Sequence, residues 1–297
     1  MTSWDKRYIE FYEKTNNFYI LYKDLIWVRT SNFISKPLVP AEVSISVSEE
    51  DVDYILNRTK SKILRVSKGF IEEKSEWWYV ICDKFKDVEE YPSKIRSEIK
   101  RGLRNCQVKL VDADFIARHG YDIYIEAFKR YKEVMIEKKD EKQFINYALS
   151  TKSFEDILHW WGVFVRGKLV GYSHNSILGE EVRYAQIKLH PNYLEYYPSY
   201  ALIYTMNRYY LNEKGFKYIN DGNRTLFHFT DFQEFIEKKF NFRKVYSKLE
   251  MFYSPLFDIF IKILYPFRGC IPNLKYLNII KSLLKQEEIR KSFIENI

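Results

Sequence analysis

The sequence predicts an α/β protein: a mixed, mostly antiparallel sheet flanked by helices, with further helices at the C-terminus. Three observations carry this. Two β-rich runs flank the Arg166-Gly167 turn, a second pair flanks Gly179-Glu180-Glu181, and from Pro198 onward Leu202, Met206 and Tyr209 or Tyr210 recur at helical spacing.

The first hundred residues hold a shorter version of the pattern. Residues 18–22 and 25–29 have strand character and are separated by Lys23-Asp24. Ser48 followed by Asp51 has the form of a capping box for a helix through Leu56. Residues 63–66 and 77–81 return to strand character, which gives a half-sheet before a basic helix. In that helix Ile95, Ile99 and Leu103 form the buried stripe, with Arg96, Lys100 and Arg104 in a row beside it at i, i+4 spacing. Three such cations suit a pyrophosphate, a nucleotide or a tRNA backbone, and equally make a solvated face. From Asp112 to about Leu149 the chain turns helical, with Ile123, Ile125, Ala127, Phe128 and Tyr131 on a mixed apolar face. Its charged stretch 129–142 is either a solvated helix end or a substrate lid.

The first hairpin spans residues 161–174, where Gly167 supplies the positive φ of the turn. The outgoing strand of the second alternates Val182, Tyr184, Gln186 and Lys188 against Arg183, Ala185, Ile187 and Leu189, and His190-Pro191 closes it. A Tyr-rich turn follows, then a helix from Pro198 in which Ser199 is placed to satisfy a free amide. Tyr193, Tyr196, Tyr197 and Tyr200 either line a pocket for a sugar, peptide or acyl chain or pack at an edge with wet hydroxyls. Gly215 suits a left-handed helix cap, residues 216–220 a short strand, and Asp221-Gly222 a turn. After Ser254-Pro255, a helix carries Phe257, Phe260, Ile261 and Leu264 on one face, Pro266 ends it, and a last helix carries Leu274, Leu277, Ile280 and Leu284. These stripes are expected to pack on the domain; weak attachment to a membrane surface is the alternative.

At 297 residues the chain can build one large core or two intimate small ones, and no Gly/Ser or Pro-rich linker divides it. The formal charge of +8 favours anionic partners, though lysine-rich solvated faces account for most of it. Cys82, Cys106 and Cys270 are odd in number and widely spaced, without zinc-ligand spacing, so a reduced cytoplasm is the expected setting and no metal is expected. The charged N-terminus, with Asp5, Lys6, Arg7 and Glu10, lacks the apolar stretch of a signal peptide. No window reaches the length of a membrane span; the most apolar one, 255–267, contains Asp258 and Lys262.

The order hairpin, hairpin, Tyr-rich turn, helix, strand and final helix resembles the GNAT superfamily of N-acetyltransferases; the run Phe235-Ile-Glu-Lys-Lys-Phe-Asn-Phe242 looks like that superfamily's helix and following turn, and residues 244–252 look like its closing strand. Residues 91–108, a basic helix and the strand after it, resemble the join between the halves of the Fem-type branch. Those transferases have two GNAT-like halves and add amino acids or acyl groups to cell-envelope amines. The resemblance implies a partial GNAT-like half over residues 1–105, an acyltransferase domain over 106–253 and a helical extension over 254–297. The implied activity is N-acyl transfer to an amine-bearing small molecule, glycan, lipid or peptide. The donor is acyl-coenzyme A, or aminoacyl-tRNA as the alternative. Two departures bear on the donor: residues 192–199 contain no glycine where coenzyme A users have a glycine-rich turn, and Ile236 stands where a proton-donating tyrosine often lies. A binding module that has lost catalysis is the reading from another class.

On this resemblance the amides around Lys188 and Leu189 would polarise the donor carbonyl from a strand bulge. His174, His190 and Asp221 are candidate bases, with a half-buried structural histidine and a turn-capping aspartate as the plainer alternatives. Tyr200 is a candidate proton donor, and Ser199, Tyr200 and Asn223 would hold the donor with Lys188 and Leu189. Arg96, Lys100, Arg104, Tyr196, Tyr197, Arg224 and His228 are the candidates for substrate binding.

Overall fold

The computed structural model describes residues 2–30, 33–129, 138–226, 231–272 and 277–293. Tyr131, most of the charged stretch 129–142, His228 and Leu274 lie outside them. By its internal contacts the chain forms two compact units, one of residues 1–79, 223–229 and 244–297, the other of residues 80–222 and 230–243.

The first unit opens with α1 (Ser3–Lys14), capped reciprocally by Thr2 and Asp5. β1 (Tyr19–Tyr22) and β2 (Leu25–Arg29) form the hairpin that the sequence implies, with Lys23 and Asp24 at φ of 49° and 58° in its turn. β3 (Ile34–Pro37) is an added strand; Ser35, Lys36 and Pro37 leave it without apolar alternation. α2 (Glu49–Thr59) starts at the Ser48–Asp51 capping box, and β4 (Ile63–Ser67) follows. Val52, Ile55 and Leu56 of α2 pack with Trp27, Leu64 and Val66 to make the core on that side.

The second unit takes the chain from β5 (Trp78–Cys82) through α3 (Ser93–Asn105), the basic helix, to β6 (Gln107–Val111). Three helices follow, α4 (Ala113–His119), α5 (Tyr121–Phe128) and α6 (Glu141–Ser150). The two hairpins are β7 (Leu158–Val165), β8 (Lys168–Leu178) and β9 (Glu181–Leu189). Then come α7 (Pro198–Asn207), β10 (Tyr218–Asn223) and α8 (Phe232–Phe240). The sheet runs β11-β5-β10-β9-β8-β7-β6, with β11 (Arg243–Tyr246) at its edge beside β5; it is antiparallel from β6 to β9 and parallel between β9 and β10. One face is covered by α4 to α6, whose Ile116, Ile123 and Phe144 pack with Trp160, Phe164 and Tyr172. The other face carries α7, where Leu202, Ile203 and Met206 are fully buried. A π-helical turn, Arg208–Glu213, extends α7 and drives Tyr210 into that core. There the Tyr210 hydroxyl accepts from Trp161 at 2.8 Å and from Asn175 at 3.2 Å.

The expected closing strand over 244–252 is two strands, β11 (Arg243–Tyr246) and β12 (Leu249–Tyr253), separated by Ser247-Lys248. β12 pairs antiparallel with β4 from Leu249 opposite Ser67 to Tyr253 opposite Ile63, so the first unit's sheet runs β1-β2-β3-β4-β12. α9 (Pro255–Leu264) and α10 (Asn278–Ser292) complete that unit: Leu283 and Ile289 of α10 pack with Ile63, Leu249 and Met251. The compact units thus differ from a cut at 105 with a separate extension from 254, because the last strand and helices return to finish the core that the first strands begin.

Candidate active site

The second unit's sheet opens at one place. β9 and β10 are paired over three positions only, Tyr218 to Glu181, Ile219 to Val182 and Asn220 to Arg183. Two residues further along β9 the register with β8 slips: His174 faces Gln186 while Asn175 faces Tyr184, which leaves Ala185 as an extra, exposed residue. On the β10 side Gly222 takes φ of +100°, a conformation a side chain would strain, and its amide turns to the Asn220 Oδ1 at 2.7 Å. Past Asn220 and Arg183 the parallel strands therefore part, leaving main-chain groups on their facing edges that an extended ligand can pair with.

The bulge also overturns a strict alternation along β9. Tyr184 points to the α7 face, where its hydroxyl donates to Asn207 at 2.8 Å, whereas Lys188 lies on the α5 face with its ammonium 4.4 Å from the Phe128 ring centroid. Lys188 and Leu189 themselves sit in regular register opposite Tyr172 and Gly171. The slipped position is Ala185, three residues earlier, and no side-chain signal marks it: a one-residue slip changes faces without changing composition.

Asp221 is the first residue of β10 beyond the paired stretch. Burial of its carboxyl pushes the pKa up to about 8, opposed by a hydrogen bond from Gln233 of α8. A carboxyl in that state exchanges a proton near neutral pH, as a general base must. Gln233 carries no signature in the sequence beyond its place in the first turn of a helix.

His174 stands on β8 at the slip, opposite Gln186, and its ring packs toward α6. Its ring stacks on Trp160 at 4.1 Å, its Nδ1 is 3.0 Å from the Tyr147 hydroxyl of α6, and its Nε2 is buried without a hydrogen-bond partner. Burial drops its pKa to about 3, so the ring is neutral. The same cause lowers Lys188 to about 8. His190 caps the short turn after β9, its Nδ1 accepting from the Asn192 amide at 3.2 Å.

The start of α7 differs from an open anion cradle. Its N-cap is Tyr197 in the left-handed region, φ 61°, with no capping bond from a side chain, Ser199 included. The Tyr200 and Ala201 amides both turn to the Tyr197 carbonyl at 3.2 Å. α3 crosses this turn so closely that a Cβ at Gly102 would stand 2.7 Å from the Tyr197 carbonyl oxygen and 3.0 Å from the Ala201 nitrogen. Arg101 stacks on Tyr197 at 4.8 Å, and the Cys106 thiol reaches the Tyr196 carbonyl at 3.4 Å. The one signal in the sequence is a lone glycine inside an amphipathic helix. Tyr200 is buried and bonded to Glu98, both of which raise its pKa, while Glu98 pairs with Lys239 at 3.1 Å. A phenol so placed is a weaker acid than a free one.

The remaining candidates are dispersed. Arg96 and Lys100 share Glu89, at 3.6 and 2.5 Å, and Arg104 is exposed at the end of α3. Asn223 and Arg224 fall in the first unit, where Arg224 pairs with Glu76 and stacks on Trp78 at 4.5 Å. His228 lies outside the described residues. Among the described residues no His, Cys, Asp and Glu group is arranged to hold a metal ion, and no helix is long and apolar enough to cross a membrane.

A parallel pair that parts at a bulge, beside four antiparallel strands in a sheet flanked by helices, is the architecture of a GNAT-like fold of the Fem type. No family model matches the sequence, nor does any curated protein. Among solved structures the chain is similar to FemX, with a TM-score of 0.56 at 10% identity over 85% of this chain and 92% of that one. It is also similar to L-PGS from Bacillus licheniformis, with a TM-score of 0.53 at 11% identity over 87% and 94% of the two chains. A third is a conserved protein of unknown function from Bacteroides thetaiotaomicron VPI-5482, with a TM-score of 0.52 at 12% identity over 82% and 87%. At such identities the fold is what is shared.

Proposed function

We propose that the protein is an N-acyltransferase that moves an acyl or aminoacyl group from an activated donor to the amine of a small molecule or a cell-envelope acceptor. The observation that carries this is the opening between β9 and β10, with the Ala185 bulge on one lip and the proton-exchanging Asp221 on the other. An extended donor pairs with the freed edges, and main-chain amides between Ala185 and Leu189 polarise its carbonyl. Asp221 takes a proton from the acceptor's ammonium, the free amine attacks the carbonyl carbon, and the bond to the leaving thiol or hydroxyl breaks as that group regains a proton.

The donor reading that the geometry favours is aminoacyl-tRNA over acyl-coenzyme A. A pyrophosphate needs open amides at the start of α7, and α3 lies across that turn at Gly102 with two of the amides turned to Tyr197. Arg96, Lys100 and Arg104 along α3 offer a cationic row for a nucleic-acid backbone, although Glu89 offsets two of them. Thermal shift and mass spectrometry against acyl-coenzyme A thioesters and charged tRNA test both statements. Transfer of label to an added amine from charged tRNA supports the whole reading, and transfer from a thioester keeps the reaction and overturns the donor. Binding without transfer, unchanged in Asp221→Asn, leaves a binding module with the fold and no chemistry.

A further inference from the structure

We propose that α9 and the 3-10 turn after it, Tyr265–Cys270, seat this protein on an anionic lipid surface. Of the sequence stripe Phe257, Phe260, Ile261 and Leu264, Phe260 is exposed, and the other three account for only one side of α9. Ile261 is buried and Phe257 packs beside Ile63, Leu249 and Met251, which fixes the helix to its unit. The other side faces outward and is also apolar: Leu256 is 84% exposed, and Ile259, Phe260, Ile263 and Phe267 lie between 41% and 61%. Their spacing of three, four, seven and eleven residues places them along one line of the helix and its continuation.

The size of this stripe helps to choose its occupant. At ~200 Å² for a large side chain the five expose on the order of 600 Å². That is at the upper end of what a monomer leaves bare and short of the roughly 800 Å² that each partner buries in a stable protein interface. A bilayer surface sets no such threshold, since apolar side chains sink into the boundary below the headgroups while nearby cations meet anionic lipid. α9, of ten residues, is too short to span and lies in the plane.

The charges fit the same occupant. Residues 254–297 hold seven Lys or Arg against four Asp or Glu. At the Phe267 end of the stripe, Arg268 and Lys291 both stand over the Tyr265 ring, at 4.3 and 3.8 Å; Glu288 and Glu287 lie beside them at 3.8 and 4.0 Å and offset them in part, so the attraction for headgroup phosphates rests on the basic excess of the whole segment. A helix anchored on one side, apolar on its outward side and set in a segment of net positive charge, has the form that an interfacial helix takes.

The test is sedimentation of the full chain with vesicles of phosphatidylcholine, alone or mixed with phosphatidylglycerol. Binding is expected to the mixed vesicles, weakened by salt, and reduced about tenfold or more in a Leu256→Ser, Ile263→Ser double variant. Because that variant can lose stability, Phe267→Trp provides a second measurement: its added emission is expected to shift to the blue with mixed vesicles. No binding to mixed vesicles, binding that the double variant leaves intact, or no blue shift overturns the proposal. So does a dimer in light scattering that the double variant dissolves, because the stripe then belongs to a second copy.

Discussion

Each unit contains a parallel strand pair, and the two are built differently. In the first, β3 and β4 pair at Ile34 with Ile63 and at Ser35 with Leu64, and buried Ser35 and Ser61 hydroxyls bond at 2.6 Å beside them. β12 then pairs with β4 at five consecutive positions without a slip. In the second unit β9 slips at Ala185, β8 slips against β7 near Val163, and β10 leaves β9 after Asn220. The contrast lies in the slips, since β3–β4 pair at only two positions and β9–β10 at three: the unslipped β4–β12 ladder stabilises, whereas the slipped β8–β9 ladder exposes Ala185 beside a carboxyl whose pKa moves. The interrupted sheet is where chemistry is to be sought, and the continuous one supplies a core and the outward stripe of α9.

The sharpest test of this contrast is Asp221→Asn. It is expected to lower kcat/KM about 10²- to 10⁴-fold with melting temperature unchanged or raised, since the proposed general base is lost and a desolvated, half-buried carboxyl relieved. Wild-type turnover should rise with pH through about 8 as the carboxyl ionises. The stability sign is set by the raised pKa. The folded state holds a proton that the unfolded chain gives up above a carboxylate's usual pKa of about 4. Stability therefore declines as pH climbs from there to about 8, and Asp221→Asn should remove that decline in a denaturant series.

The matching change in the continuous sheet is Leu64→Ala, at a fully buried position between α2 and the strands. It should cost about 2–5 kcal/mol in urea unfolding while the kcat of the remaining folded protein stays the same. Loss of kcat at full folding would break the assignment of roles to the two sheets.

His174→Ala is expected to cost about 1–3 kcal/mol, because the Trp160 stack is lost and the Tyr147 hydroxyl loses a partner. The folded pKa of about 3 lies below the unfolded value of about 6.5. The unfolded chain alone therefore takes up a proton between those values, and stability is lost as pH falls through that window. His174→Gln should flatten that dependence. A fall in kcat with unaltered stability would instead return His174 to the chemistry.

The smallest effect is expected for Arg96→Ala with Lys100→Ala: little or no change in melting temperature, as the shared Glu89 is solvent-exposed. The informative readout is RNA binding. If charged tRNA is the donor, the slope of affinity against salt should flatten by one to two released ions, about one per cation removed.

Much of the secondary structure was legible because it is local. The Arg166-Gly167 turn has both residues at positive φ, 49° and 79°, and the Ser48–Asp51 box caps α2. The periodicity of the strands around those turns gave the order of hairpins, helices and strands in the second unit. β3 was not legible, because Ser35, Lys36 and Pro37 leave it no apolar alternation, whereas α1 carries a local signal in the Thr2–Asp5 box and the helical spacing of Trp4, Tyr8, Phe11 and Tyr12.

The candidate site was legible in part. Asp221-Gly222 stood out as turn chemistry, but the proximity of Gln233 and the burial that moves the carboxyl arise from residues distant in sequence. The Ala185 slip has no local cause in a Tyr-Ala-Gln run; it follows from how β8 and α7 seat Tyr184 against Asn207 while α5 receives Lys188. Likewise, α3 closing over the start of α7 turns a glycine in a basic helix into the fit of two backbones.

The sequence by itself determined the turns, the caps, the order of strands and helices and the chemistry on offer, because backbone preference and hydrophobic period act over a few residues. Only the tertiary structure decided that the C-terminal strand and helices close the first unit, that β9 and β10 part where Asp221 begins, and that one side of α9 is left bare. Those outcomes depend on long-range pairing and burial, which no local window contains.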